Sequence, residues 1–181
     1  MGADIYLDSI YHPARAKALP LFEKAVDARN KYCLDTYGRG GRVPDDDETY
    51  KKLQAAVTKA YSGLHPKGGY FRDSYNESSL FWVLGLSWWQ LAGELCREVD
   101  ERTVLPIDGA RSLIVRIEAL PVTDERFKRW EEKARASGWT FKSPNSSPLS
   151  EWKRDFVRRR AEFLTMLRTS IHLNEPLHWS V

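Results

Sequence analysis

Residues 80–96, LFWVLGLSWWQLAGELC, carry a single charge, Glu94, and three of the seven tryptophans of the chain, Trp82, Trp88 and Trp89. A helix that is apolar on every side is stable in water only when other elements surround it. The segment therefore predicts a central helix with the rest of the chain packed around it. At 17 residues it is shorter than the roughly 20 that a membrane span requires. It also carries Ser87, Gln90 and Glu94, so a buried core helix is expected and a membrane partner is not.

The remaining patterns fill in a mostly helical domain with a minor β element. Residues 3–10 alternate, with Ile5 and Leu7 opposite Asp4, Tyr6 and Asp8, which predicts a short N-terminal strand. If that face borders a cleft, a single acid such as Asp4 suits acting with Arg72 or Asp73; the plain alternative is an edge strand that carries charge against unwanted pairing. Residues 14–37 have helical spacing, but Pro20 lies inside the run, so the first helix is expected to start near Leu19 after a preliminary turn. Glycines and Pro44 make 37–44 a loop. A second helix follows over 45–62, with the acids Asp45, Asp46, Asp47 and Glu48 at its start and Gly63 at its end. The central helix is predicted to be capped by Ser74 or Asn76 and to run to about Arg102. Residues 110–120, 123–138 and 149–171 give three further helices, with Trp139 to Pro148 as an irregular loop between the last two. The tail 174–181 is either loose or an extended segment paired with the first strand. The expected architecture is one domain, 1–181, of about six helices around the central one.

Chemistry concentrates just ahead of the apolar segment, in Lys67-Gly-Gly-Tyr70-Phe-Arg72-Asp73-Ser-Tyr75-Asn76. Two glycines allow close backbone approach. Lys67 and Arg72 together with a helix N-terminus suit an anion. Tyr70 and Tyr75 suit stacking on a ring, and Asp73 and Asn76 suit orienting hydrogen bonds. The order G-x-x-x-x-G-K-[ST] is absent, so this is not a P-loop. The plain alternative is a structured entry loop in which Arg72 pairs with a carboxylate and Asp73 or Asn76 caps the helix.

Other motifs carry less. Gly85-Leu-Ser87-Trp-Trp89 lacks the final glycine of a nucleophile elbow. The histidines His12, His65, His172 and His178 show no metal-ligand spacing, and no metal, cofactor or catalytic residue is assigned. The basic positions of the last two helices, Arg158, Arg159 and Arg160 among them, are interleaved with acids. The net charge is only +3, so a solvated face is expected there and a nucleic-acid partner is not. Cys33 and Cys96 have no paired spacing and are read as buried thiols in a reducing compartment. Met1-Gly-Ala-Asp lacks the basic start of an export signal, so the cytoplasm is the expected location.

Two stretches, Met1-Gly-Ala-Asp-Ile-Tyr-Leu and Gly69-Tyr-Phe-Arg-Asp-Ser-Tyr-Asn with the following Leu-Gly-Leu-Ser-Trp-Trp, resemble small proteins of phages and bacteria. The resemblance covers under a fifth of the chain. It implies a phage accessory role, such as binding a host protein or capturing a host nucleotide signal. The expectation is a non-catalytic binding protein that holds a small anionic ligand, such as a nucleotide, through Lys67, Tyr70, Arg72, Asp73, Tyr75 and Asn76. Its alternatives are a protein-interaction module that antagonises a host protein, and an enzyme acting on nucleotides through an Asp/Tyr/Arg site.

Overall fold

The computed structural model describes residues 2–74, 80–120, 123–136 and 149–180. The predicted irregular loop 139–148 lies outside them, as do Tyr75 and Asn76 and the side chains of Trp82, Ala134 and Trp152. The described elements are mostly helical, with a small antiparallel sheet. They form two compact units, one of Met1–Leu7 with Tyr70–Val181 and one of Asp8–Gly69.

The unit Asp8–Gly69 is a helical hairpin of α1 (Asp8–Tyr37) and α2 (Glu48–Gly63). The expected restart near Leu19 does not occur, and α1 is one helix with Pro13 and Pro20 inside it. Each proline removes one helical hydrogen bond. Packing against α2 begins at Ala18 and carries the helix past Pro20. Ala18 is buried, and Phe22, Ala25, Val26, Arg29, Tyr32 and Cys33 continue its half-buried stripe. Opposite them, α2 buries Val57 and sets Tyr61 against the Phe22 ring at 5.7 Å. A Cβ on Gly63 would stand 3.1 Å from that of Ala18, so the two helices approach closely there. Gly38, at φ +74°, ends α1 in the left-handed conformation that glycine accepts without strain. The acidic run does not begin α2 at Asp45. Asp47 is its cap and accepts from Tyr50 N–H at 2.9 Å.

In the other unit β1 (Gly2–Tyr6), β2 (Tyr70–Ser74), β3 (Arg97–Val99), β4 (Arg102–Leu105) and β5 (Leu177–Ser180) form one sheet in the order β2-β1-β5-β4-β3, antiparallel throughout. The N-terminal strand is thus internal and not an edge, and the C-terminal tail is its neighbour. Period-two alternation explains both strands. Ala3, Ile5, Leu177 and Trp179 are buried on one face, and Asp4, Tyr6, His178 and Ser180 point to the other. Asp8 leaves the strand and opens α1, so the face expected to carry Asp4, Tyr6 and Asp8 holds only the first two.

The apolar segment is not one helix. It divides into α3 (Leu80–Leu84) and α4 (Trp88–Leu95). Gly85 takes φ +72°, and Ser87, in extended backbone, caps α4 by accepting from Gln90 N–H at 3.4 Å. Trp88 is 4% exposed but Trp89 is 61% exposed, so α4 has a wet face. Past Cys96 the expected helix is a β3–β4 hairpin, turned by Asp100 and Glu101 at φ 49° and 63°, the geometry of a two-residue hairpin turn.

The buried face of the sheet is covered by helices. In α5 (Ile107–Glu118) Ala110, Leu113 and Ile117 are buried. In α6 (Asp124–Ala136), capped by Thr123 Oγ1, which accepts from Arg126 N–H at 3.3 Å, Phe127 and Trp130 are buried. In α7 (Leu149–Leu173) Phe163, Met166 and Leu167 are buried, with the Phe163 ring 4.7 Å from Phe71 and 5.3 Å from Phe81. Asn174, at φ 51°, ends α7 in a left-handed turn that this side chain tolerates and sends the chain back as β5.

Candidate functional site

The strand β2 separates the residues that the sequence groups together. Successive side chains of a strand point to opposite faces, so Tyr70 and Arg72 lie on the outer face and Phe71 and Asp73 on the buried one. Lys67 is exposed and belongs to the hairpin unit.

On the buried face Asp73 is 2% exposed and its carboxylate is shared by three elements. Leu80 N–H donates to it at 3.1 Å at the start of α3, Trp88 Nε1 at 3.2 Å from α4, and Arg159 at 2.5 Å from α7. Arg159 also donates to the Arg72 carbonyl at 2.8 Å and lies over the Phe71 ring. A buried carboxylate persists only when it is paired and hydrogen-bonded, and all three donors meet that need. Asp73 therefore caps and clips, as the plain alternative for the loop predicts.

On the outer face a row of side chains runs across all five strands. The pairing aligns Tyr70 with Tyr6, Tyr6 with His178, His178 with Val104, and Val104 with Arg97. The Tyr6 and His178 rings stack, 4.9 Å apart and 11° from parallel. A second row begins with Arg72 against Asp4 and Asp4 against Ser180, and Arg102, two residues from Val104 on β4, continues it. Tyr70 donates its hydroxyl to Asp4, and Arg72 Nε stands 3.7 Å from the same carboxylate. Arg72, Arg97 and Arg102 are exposed, and the three rings are half-buried.

This face joins Tyr70 and Arg72, which sequence reasoning selected, with Asp4, which it weighed as a partner for Arg72. It adds His178, Arg97 and Arg102, which it did not select. The signal for His178 was present in Leu177-His-Trp-Ser, an alternation of the same period as the first strand. Arg97 and Arg102 were hidden by the helical reading of 97–102.

Elsewhere the titratable groups serve the fold. The Tyr37 phenol donates to Asp47, which holds that carboxyl below its ordinary range and pushes the phenol up. Arg116 beside Glu94 lowers the Glu94 carboxyl. Burial pushes the Cys96 thiol up to about 12, so it is a poor nucleophile at neutral pH. Among the described residues no group of three or more His, Cys, Asp or Glu could hold a metal ion, and no helix is long and apolar enough to cross a membrane. Comparison with protein-family models, with curated proteins and with solved structures yields no match.

Proposed function

We propose that the protein is a non-catalytic binding protein and that the outer face of its sheet receives a small anionic ligand with an aromatic ring, a nucleotide being the class that fits. The observation that carries this reading is the row Tyr70, Tyr6, His178 flanked by Arg72, Arg97 and Arg102. Stacking on aromatic side chains is worth about 1–3 kcal/mol per base. Arginines two positions along the strands stand roughly 7 Å from the ring row, the scale on which a phosphate stands from its base. A small anion suits the unit better than a polyanion, because residues 1–7 with 70–181 carry 17 Lys+Arg and 17 Asp+Glu. The reading keeps Tyr70 and Arg72 of the sequence-based site, leaves Asp73 to the fold, and fits the cytoplasm and the capture of a nucleotide signal by a phage accessory protein. The alternative of a protein-interaction face through Arg158 and Arg159 gains less support, since Arg158 pairs with Asp155 and Glu162 and Arg159 with Asp73.

Thermal unfolding with a panel of nucleoside mono-, di- and triphosphates tests it. A ligand at a hundredfold excess over its Kd is expected to raise Tm by about 5 °C or more, and Tyr6→Ala with Arg72→Ala to abolish the rise. A panel without effect, or a rise that survives the double substitution, overturns the reading.

A further inference from the structure

Charge is sorted along the outer face of the sheet. Among the residues that the five described strands direct to that face, Asp4 is the one acid. Its Oδ1 accepts from the Tyr70 hydroxyl and faces Arg72 Nε at 3.7 Å, while Oδ2 has no partner among the described residues. Toward the far edge Arg97 and Arg102 are exposed, and neither guanidinium has a hydrogen bond or ion pair among the described residues. Ser180 lies between, opposite Asp4 on β1 and beside β4. Two strand spacings place the Asp4 and Arg102 backbones about 10 Å apart. The Tyr6 and His178 rings fill the neighbouring row along that gap.

The separation decides which part of a nucleotide meets the carboxylate. The ribose hydroxyls lie on the sugar that carries the phosphate, too close to it to span the gap. The Watson–Crick edge of the base lies at the far end of the molecule. An ionised carboxylate accepts hydrogen bonds and donates none. Guanine offers it two adjacent donors, N1–H and the 2-amino group. Adenine and cytosine place an acceptor nitrogen beside their amino group, and uracil sets one N–H between two carbonyls. Each of those three turns a lone pair on the carboxylate.

Resting on the nucleotide reading above, we infer that the outer face selects guanine nucleotides. N1–H and the 2-amino group meet Asp4, the base lies over the Tyr6 and His178 rings, and the phosphate falls to Arg97 and Arg102. Tyr70 and Arg72 hold the Asp4 carboxylate in position.

Calorimetric titration of the full chain with GMP, IMP, XMP, AMP, CMP, UMP and 2′-deoxy-GMP tests this. GMP is expected to bind at least tenfold more tightly than AMP, CMP or UMP, and about tenfold more tightly than IMP, which lacks the 2-amino group. 2′-Deoxy-GMP should equal GMP. Asp4→Asn, which sets an N–H donor where an oxygen accepted, should weaken GMP at least tenfold and bring XMP level with it or above. Arg97→Ala with Arg102→Ala should weaken GMP and spare guanosine. The wild-type series decides alone if a variant does not fold. Equal affinity for every monophosphate overturns guanine selection and leaves the nucleotide reading standing. Loss of binding with 2′-deoxy-GMP overturns it by giving Asp4 to the ribose, and so does a GMP preference that Asp4→Asn retains. Binding by none of the nucleotides overturns both.

Discussion

Asp73 ties three helices to the sheet through one carboxylate. It sits on the buried face of β2, receives the first N–H of α3, the indole of Trp88 and the guanidinium of Arg159, and is itself 2% exposed. Removing one partner of a buried ion pair costs about 3–5 kcal/mol, because the other is left uncompensated. Asp73→Ala is therefore expected to lower the urea midpoint by that equivalent. Asp73→Asn, which keeps one acceptor oxygen, should lose less, and equal midpoints for Asp73→Ala and the native chain would refute the role. The polarity of Asp73 was legible in the sequence, and its role as a cap was one of two readings there. Its partner was not legible, since Arg159 is 86 positions away and looks in sequence like one more cation in an amphipathic helix.

At the scale of elements, the sequence shows helical and strand periods well and their interruptions poorly. Residues 80–96 are apolar enough to read as one helix, and the break turns on Gly85 and Ser87, two residues that helices also tolerate. Residues 97–102 read as a polar helix end, yet the run Arg102-Thr-Val-Leu, with two β-branched residues at its centre, belongs to a strand. The opposite error occurs at Pro20, where a residue that usually stops a helix is carried through by packing against α2. The hairpin of α1 and α2 also has a pH signature. Asp47 caps α2 and accepts from Tyr32 and Tyr37 of α1 and its end. Its carboxyl is lowered from 3.8 in the folded chain, chiefly by the Tyr37 phenol, so the bond stabilises fully above the unfolded value and fades as pH falls below it. The Tyr37 phenol is raised from 10.0, so the same contact is retained below that pH and lost well above it. The difference in far-UV midpoint between the native chain and Tyr37→Phe should be constant from pH 5 to about 9 and shrink below about pH 3.8. A difference that grows in acid would contradict the assignment.

Over the whole molecule, the two units interleave along the chain, with Asp8–Gly69 inserted between two neighbouring strands. Tyr6 and Tyr70 are directly paired, so the ends of the insertion leave one strand pair and a short turn can join them. Replacing 8–69 by Asn-Gly is expected to leave a folded sheet unit with its near-UV tryptophan signal, and an unfolded product would show that the strands need the hairpin. The sequence offers no composition shift or linker at the first junction, where Leu7 runs straight into the acid that opens α1, and the second is marked by nothing more than Gly68-Gly69. Half of the outer face was legible for the same reason that half of the sheet was. β1 and the end of the chain alternate openly, but Tyr70 and Arg72 lie in a stretch whose glycines and aromatics read as a loop.

The position of β1 between β2 and β5 also has a consequence during synthesis. Of the described strands β1 is made first and β5 last, yet the two are neighbours, and β4 joins the described sheet through β5. Until the ribosome has read 177–180, β1 presents Ala3, Ile5 and an open ladder edge to whatever else is nascent nearby. A chain halted after Leu173 would hold its helices and lack the strand that joins the halves of its sheet, and its exposed edge would be a site for aggregation.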